Sequence, residues 1–178
     1  HRVNTETAKQ IANALEPLQT SVEDIKSDSL ILVSDTRLYT SCNLNGEFGE
    51  NRIDISERSG FNKQWTERGG DIASKSYIFA EDEIETKDDK KVYFIVKPLE
   101  MPFKTADLIS MYTEKYCFVN SPEIIEDELN ALNFKENGTN IELKNSLSSC
   151  DENSIKVCFN NINCDIIVSC NDFQCSNG

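Results

Sequence analysis

The chain has 178 residues and a formal net charge of −13 at pH 7, and 38 % of its residues are hydrophobic. This length suits one domain, or one domain with an appended helix, and the low apolar content suggests that cross-links help to stabilise a thin core. The negative charge would repel nucleic acids and anionic membrane surfaces, and no run of about 18 apolar residues is present to span a bilayer.

The first predicted element is an amphipathic helix over residues 1–27. Its apolar residues recur at intervals of 3-4-3-4-3, which gives a narrow heptad stripe that suits packing on one neighbour. Pro17 removes a backbone donor and should kink the helix or end its first half. Three arrangements fit the pattern: a helix on its own domain, a helix that self-associates, and two short helices broken at Pro17. The stripe consists of Ala8, Ile11, Leu15, Leu18, Val22 and Ile25.

Residues 28–178 are predicted to form an extracellular α+β domain, built mainly of antiparallel strands with one or two short helices. Short apolar or alternating runs predict its first strands at residues 30–33, 37–42 and 52–55. Residues 57–75 contain three glycines and little periodicity, which predicts a long irregular loop. Within this loop, Trp65 either fills the core beneath its own loop or lines a ligand pocket together with Arg68.

The middle of the chain predicts a hairpin followed by a short helix. Residues 76–80 and 91–96 are strand candidates separated by an acidic run, so we expect them to pair around a charged turn. The acidic run lacks the residue order of a calcium loop with its central glycine, and we predict no metal site there. Thr105 is placed to cap a helix over residues 106–112.

The sharpest local signal is a helix start at Ser121. A serine at the N-cap, Pro122 at the first helical position and acidic residues in the first turns all favour a helix here. Strands are predicted on both sides, at residues 115–119 and 140–143. This order fits a βαβ crossover, and an antiparallel α+β arrangement fits nearly as well. Between the helix and the second strand, Asn137 begins an Asn-Gly-Thr acceptor for N-glycosylation.

The cysteines indicate the compartment. The last five are separated by eight, six, six and five residues, whereas structural zinc sites use close pairs, and the only histidine is His1. Such density in a small chain favours disulfides outside the reducing cytosol. Three pairs leave one sulfur, which stays free or bonds beyond this chain. The candidates are Cys42, Cys117, Cys150, Cys158, Cys164, Cys170 and Cys175.

The last predicted pair of strands lies in this cysteine-rich region. Residues 154–159 and 164–170 are both rich in β-formers and flank an asparagine-rich turn, so we expect a hairpin. The spacing does not decide which cysteines bond to each other.

Catalytic motifs do not occur in the sequence. With its only histidine at the terminus, the chain has no credible base for a serine or cysteine nucleophile. Phosphate-binding, dinucleotide-binding and zinc-protease motifs are likewise missing. We therefore predict no enzyme activity, no cofactor and no metal. A carboxylate-based extracellular hydrolase is the remaining catalytic hypothesis, and it requires two close, buried acids.

The layout resembles that of archaeal exported surface proteins of the pilin-like or single-pass anchored kind. The residues that carry the resemblance are the helix positions Ile11, Leu15, Leu18, Val22 and Ile25, the strands and cysteines that follow, and the stretches 93–102 and 116–119. Because the chain begins with His1, we expect a hydrophobic targeting segment to have been removed.

The resemblance implies a non-enzymatic structural or assembly protein of the cell surface, such as a filament or coat subunit. It would self-associate, or bind a surface protein, through the N-terminal helix, and contact the membrane only through a segment outside this chain. The alternative hypothesis is a membrane-tethered extracellular domain that binds or senses a ligand.

Overall fold

The structure of the protein is a computed structural model that describes residues 2–19, 25–42, 51–58, 60–61, 63–74, 76–100, 104–132, 138–159, 163–170 and 175–177. Contacts divide the chain into two units, His1–Thr113 and Glu114–Gly178. This division differs from the predicted one after residue 27, because the N-terminal helix packs into the first unit.

The first unit contains a helix and two four-stranded sheets in its described part. Sheet I has the strand order β1-β7-β8-β5, and sheet II has the order β4-β3-β2-β6. Paired strands are antiparallel, except that β5 runs parallel to β8. The elements are α1 (Arg2–Gln19), β1 (Lys26–Ile31), β2 (Thr36–Cys42), β3 (Asn51–Glu57), β4 (Gly69–Ser74), β5 (Tyr77–Phe79), β6 (Glu83–Glu85), β7 (Lys91–Glu100) and β8 (Lys104–Tyr112).

The helix and both sheets share one apolar core. Helix α1 contacts β3 and β4 of sheet II and β1 and β7 of sheet I. Four residues of the predicted stripe are buried in this core, as one face of an amphipathic helix should be. They are Ala8, Ile11, Leu15 and Leu18, and they pack with residues such as Leu38, Ile53, Val92, Phe94 and Met111.

Helix α1 is shorter than predicted and is not divided. It runs through Pro17 and ends at Gln19. A proline this close to the C-terminus of a helix disturbs only the last turn, so the arrangement with two short helices broken at Pro17 does not occur. Ile25 lies outside the helix, just before β1, and Val22 lies outside the described residues.

The predicted hairpin between residues 76–80 and 91–96 is wrong. Strand β5 pairs with β8, and β7 lies between β1 and β8. Part of the intervening acidic run forms β6, which pairs with β2 in the other sheet. The cross-strand partner of Arg37 is Glu85, so opposite charges face each other in this pairing.

The predicted helix over residues 106–112 is also wrong, because this segment belongs to strand β8. Ile109 and Met111 alternate into the core as a period of two requires. Thr105 donates its hydroxyl hydrogen bond to the carbonyl of Leu99 on the paired strand instead of capping a helix. The predicted irregular stretch 57–75 likewise contains β4.

The second unit is an α/β arrangement around sheet III, which has the order β10-β9-β11-β12-β13. Strands β10, β9, β11 and β12 are parallel to their neighbours, and β13 is antiparallel to β12. The βαβ crossover is therefore confirmed, with α2 joining β9 to β10. The elements are β9 (Tyr116–Val119), α2 (Glu123–Ala131), β10 (Ile141–Lys144), a 3-10 turn (Leu147–Ser149), β11 (Ile155–Phe159), β12 (Ile166–Cys170) and β13 (Cys175–Asn177).

Two local predictions in this unit need correction. Helix α2 begins at Glu123, and Pro122 stands at the N-cap position without a side-chain cap. The hydroxyl of Ser121 donates to the carboxyl of Glu126, whereas an N-cap hydroxyl would accept a hydrogen bond from a backbone N–H of the first turn. The predicted hairpin over residues 154–170 is a parallel pair, β11 with β12. Its short connection includes Cys164, which is bonded to Cys158.

Taken together, the fold is mainly β with two helices in its described part, in agreement with the α+β prediction. Three disulfides join Cys117 to Cys150, Cys158 to Cys164, and Cys170 to Cys175, all in the second unit. These bonds indicate a non-reducing, extracellular environment. Within the described residues, no helix combines the length and the apolar character that a membrane crossing needs.

Candidate functional site

The outer face of sheet II carries an unusual concentration of arginine and aromatic side chains. Strand β2 alternates, so Leu38 enters the core while Arg37 and Tyr39 lie on the opposite face. Strand β3 places Arg52 on this outer face, because Ile53 and Ile55 point inward. Arg58 directly follows the strand and forms an isolated bridge with Trp65. The chain has only five arginines, so most of its guanidinium groups derive from this part of the sequence.

Arg37 lies at the centre of this face. Its Nε atom is 2.8 Å from Oε2 of Glu85 and 3.3 Å from Oε1 of Glu83, both on the adjacent strand β6. The hydrogen bond with Glu85 raises the pKa of Arg37, and the charges of both glutamates add to that effect. The two carboxylates hold the guanidinium in one orientation.

Trp65 stacks against this held guanidinium. The guanidinium carbon of Arg37 lies 4.0 Å from the centre of the Trp65 ring, and that of Arg58 lies 6.0 Å from it. Trp65 also forms an isolated antiparallel bridge with Arg58. A cation over an aromatic face is attracted by the ring quadrupole, by about 0.5–1 kcal/mol at exposed sites.

The loop that carries Trp65 is fastened to strand β3 by hydrogen bonds. The hydroxyl of Ser56 donates to the carbonyl of Thr66 at 2.6 Å. The backbone N–H of Thr66 donates to the carbonyl of Glu57, and the N–H of Glu57 donates to the hydroxyl of Thr66. Trp65 is thus half-buried on the sheet surface, outside the apolar core in which one prediction placed it.

Arg68 forms the second stack on this face. Its guanidinium carbon lies 3.6 Å from the centre of the Tyr39 ring. Arg68 is exposed, and no carboxylate of the described residues forms an ion pair with it. Arg58, by contrast, has Asp35 at 3.9 Å, at the outer limit of an ion pair. We call the set Arg37, Tyr39, Arg58, Trp65 and Arg68 the arginine face.

The sequence predicted two members of the arginine face and missed three. Trp65 and Arg68 were singled out as loop residues, and the structure brings them to the same side of sheet II through different partners. Arg37, Tyr39 and Arg58 were missed, although the period-two alternation of the two strands contained the signal. The alternation could not show that part of the acidic run forms β6, the strand next to β2.

A second polar cluster lies under helix α1, around Glu57. Only 2 % of Glu57 is exposed, and its inward position follows from the alternation that also buries Ile55. Its Oε1 atom accepts hydrogen bonds from the hydroxyls of Thr7 at 2.5 Å and Ser34 at 3.2 Å. Its Oε2 atom has no hydrogen-bond partner among the residues that the structure describes. The hydroxyl of Thr7 thus links the helix to a buried carboxyl group of sheet II.

A third polar cluster braces sheet III. Lys115 lies 2.8 Å from Glu142 and 3.2 Å from Asp151. The hydrogen bond with Glu142 raises the pKa of Lys115, and Asp151 adds to this. The pKa of Asp151 is lowered, first by the backbone N–H of Asn153 and then by Lys115. These exposed contacts join the start of the sheet to the segment that follows Cys150.

The remaining predicted site residues do not form one site. Six cysteines form the three disulfides, and Cys42 is a free, exposed thiol at the end of β2. Asn137 lies outside the described residues, although Gly138 after it has a positive φ of 59° and Thr139 is buried. No cluster of three or more potential metal ligands occurs in the described part of the chain.

No protein-family model, curated protein or solved structure matches the chain.

Proposed function

We propose that this chain is a non-enzymatic protein of the cell surface with a structural or assembly role, as a pilin-like filament subunit or a coat subunit has. The observation that supports this most is the set of three disulfides within Glu114–Gly178. Such bonds persist in oxidising compartments and are rare in the cytosol. A glycan on Asn137 would be consistent with the same location outside the cytosol.

In this role, a surface of the folded chain binds further copies of itself or another surface protein. The buried stripe on α1 is not a free surface in the folded chain, since Ile11 and Leu15 are in the core. Assembly through that stripe would require the helix to leave its sheets. An assembly surface made of exposed side chains needs no such rearrangement.

The compartment can be tested on intact cells of the source organism with a membrane-impermeant maleimide. We expect a single label on the exposed thiol of Cys42, with the other six cysteines unreactive until a reductant is added. A Cys42→Ser variant is the control and should remain unlabelled. Alkylation of all seven cysteines during rapid lysis would contradict the proposal, because it would place the chain in a reducing compartment.

The assembly role can be tested by sedimentation of the purified chain over a range of concentrations. We expect reversible association that grows with concentration. A chain that stays monomeric at the highest soluble concentration, with no binding to other surface proteins of the source, would contradict this role.

A second candidate function is a membrane-tethered extracellular domain that binds or senses a ligand. The observation that favours it is the arginine face, where Trp65 and Arg68 offer aromatic surface and hydrogen-bond donors to solvent. A thermal-shift screen of small anions and sugars tests this function. A hit should vanish in Trp65→Ala and persist in Phe61→Ala, which changes an exposed aromatic residue of the same loop.

A further inference from the structure

We propose that the chain associates head to tail, with the arginine face of one copy bound to the exposed acidic side of helix α2 on the next copy. This inference rests on the assembly role proposed above and names the two surfaces that carry it.

Self-association of a chain with a net charge of −13 needs a local surface that attracts its own acidic exterior. The outer face of sheet II holds four of the five arginines of the chain, and no arginine occurs after it in the sequence. Carboxylates on the same face balance most of this charge, since Arg37 and Arg58 have ion-pair partners and Asp54 lies opposite Tyr39. The attraction for another copy therefore centres on Arg68.

Within the arginine face, the guanidinium of Arg68 can donate hydrogen bonds to a carboxylate of another copy. Arg37 already has two glutamates and Arg58 has Asp35, whereas the described contact of Arg68 is its stack on Tyr39. The stack restricts the side chain of Arg68 before a partner arrives, so less conformational entropy is lost on binding. Its planar donors remain available for a bidentate contact.

Helix α2 offers the complementary surface. Glu123, Asp127 and Glu128 are exposed on it, and Ile124 is 55 % exposed. Residues four apart on a helix are neighbours, so Glu123 stacks with Asp127 and Ile124 with Glu128 in two adjacent rows. The result is a carboxylate stripe beside one exposed apolar side chain, with Leu129 holding the opposite side of the helix in the protein interior.

The two surfaces match in chemistry as well as in charge. Arginine, tryptophan and tyrosine are the residue types that contribute most at protein interfaces. In the proposed contact, Arg68 pairs with Asp127, and the half-buried ring of Trp65 covers Ile124. Because the two surfaces differ, one contact leaves the other surface of each copy unbound, and repetition of the contact builds a ring or a filament of subunits.

The test is a charge swap on the full chain, measured by sedimentation equilibrium at low and moderate salt. Arg68→Glu and Asp127→Arg should each weaken association at least about fivefold, because each places like charges across the contact. The double variant restores the opposite charges and the original net charge, so it should associate within about threefold of the unmodified chain. Added salt should weaken association of the unmodified chain.

Two matched controls separate the contact from the effect of net charge. Lys9→Glu changes the charge as Arg68→Glu does, and Glu6→Arg changes it as Asp127→Arg does; both positions are exposed on α1. Neither control should change association by more than about twofold. Circular dichroism of every variant verifies that it is folded.

The remaining outcomes distinguish a failure of this contact from a failure of the assembly role. Association that Arg68→Glu and Asp127→Arg leave unchanged would refute this contact while the assembly role stands. A strictly monomeric chain would refute both. A monomeric chain that binds an acidic polysaccharide through Arg68 would refute the second copy as the occupant of the arginine face.

Discussion

At the scale of single residues, Glu57 places a buried carboxyl group against helix α1. Burying a carboxyl group is costly unless its oxygens are hydrogen-bonded, and one oxygen of Glu57 has no partner in the described part of the chain. The other oxygen accepts from the hydroxyls of Ser34 and of Thr7, which is on α1. The hydroxyl of Thr7 therefore adds a polar contact between the helix and sheet II to the apolar packing of α1.

We expect Thr7→Val to lower the free energy of unfolding by about 1–3 kcal/mol, because it leaves a buried acceptor with fewer donors. In a Glu57→Leu background the same change should cost less than about 0.5 kcal/mol, since no buried carboxyl group remains to be satisfied. Denaturant unfolding of the four proteins measures both values. Equal costs in the two backgrounds would show that the hydrogen bond contributes nothing.

Tyr93 gives the chain an alkaline sensitivity. Burial, helped by the nearby charge of Asp89, raises the pKa of Tyr93 to about 12. Its hydroxyl donates to Asp89 at 3.3 Å, and its ring stacks on Tyr112 with centroids 5.5 Å apart. The folded state therefore holds this proton more tightly than the unfolded state, whose tyrosine titrates near pH 10.

Because the folded pKa is the higher one, this stability is complete below about pH 10 and is lost as the pH rises to about 12. At pH 7 we expect Tyr93→Phe to lower the free energy of unfolding by less than about 1 kcal/mol. From about pH 10 to about pH 12, the free energy of unfolding of this variant should fall by about 1–2 kcal/mol less than that of the unmodified chain. Urea unfolding at several pH values measures this difference. Parallel pH profiles for the two proteins would contradict the role given to Tyr93.

At the scale of elements, the sequence predicted what depends on local pattern and failed where distant partners decide. The strands with clear alternation, β2 and β3, and the βαβ unit around α2 were found because each segment shows its own period. The helix over residues 106–112 was wrong because Ile109 and Met111 also fit a strand, and only pairing with β7 decides between them.

The candidate site was predicted in part for the same reason. Trp65 and Arg68 stood out as a tryptophan and an arginine in a loop, but their partners Arg37 and Tyr39 come from another strand. The parallel pairing of β11 with β12 was missed because a short connection normally joins antiparallel strands. The disulfide partners could not be read from spacing, since pairing depends on the folded sheet.

The apolar stripe of helix α1 fits two roles, packing on its own sheets or mediating assembly. If the helix were an appendage that only mediates assembly, truncation of Ile11 would leave the stability of the first unit unchanged. Ile11 is fully buried, so we expect Ile11→Ala to cost about 2–5 kcal/mol. Ile31→Ala is the matched control, because Ile31 is 64 % exposed, and it should cost less than about 1 kcal/mol. Thermal unfolding of both variants measures the difference.

At the scale of the whole molecule, the two units are stabilised by different means. His1–Thr113 has a large apolar core shared by a helix and two sheets, whereas the buried apolar cluster of Glu114–Gly178 is small and includes the disulfide cysteines Cys117 and Cys158. A small core needs cross-links to offset the entropy of its chain, and the distribution of disulfides follows this requirement.

This difference predicts that reduction acts on one unit. The Cys117–Cys150 bond spans 33 residues, and closing a loop of that size stabilises by about 3–4 kcal/mol in the chain-entropy model. We expect a reductant to accelerate backbone hydrogen exchange throughout β9, β10 and β11 and to leave β2, β3 and β7 protected. Hydrogen exchange followed by mass spectrometry resolves the two units in one sample. Equal acceleration in both units would mean that the first unit depends on the cross-links of the second, and uniform protection would mean that the disulfides do not carry the stability of the second unit.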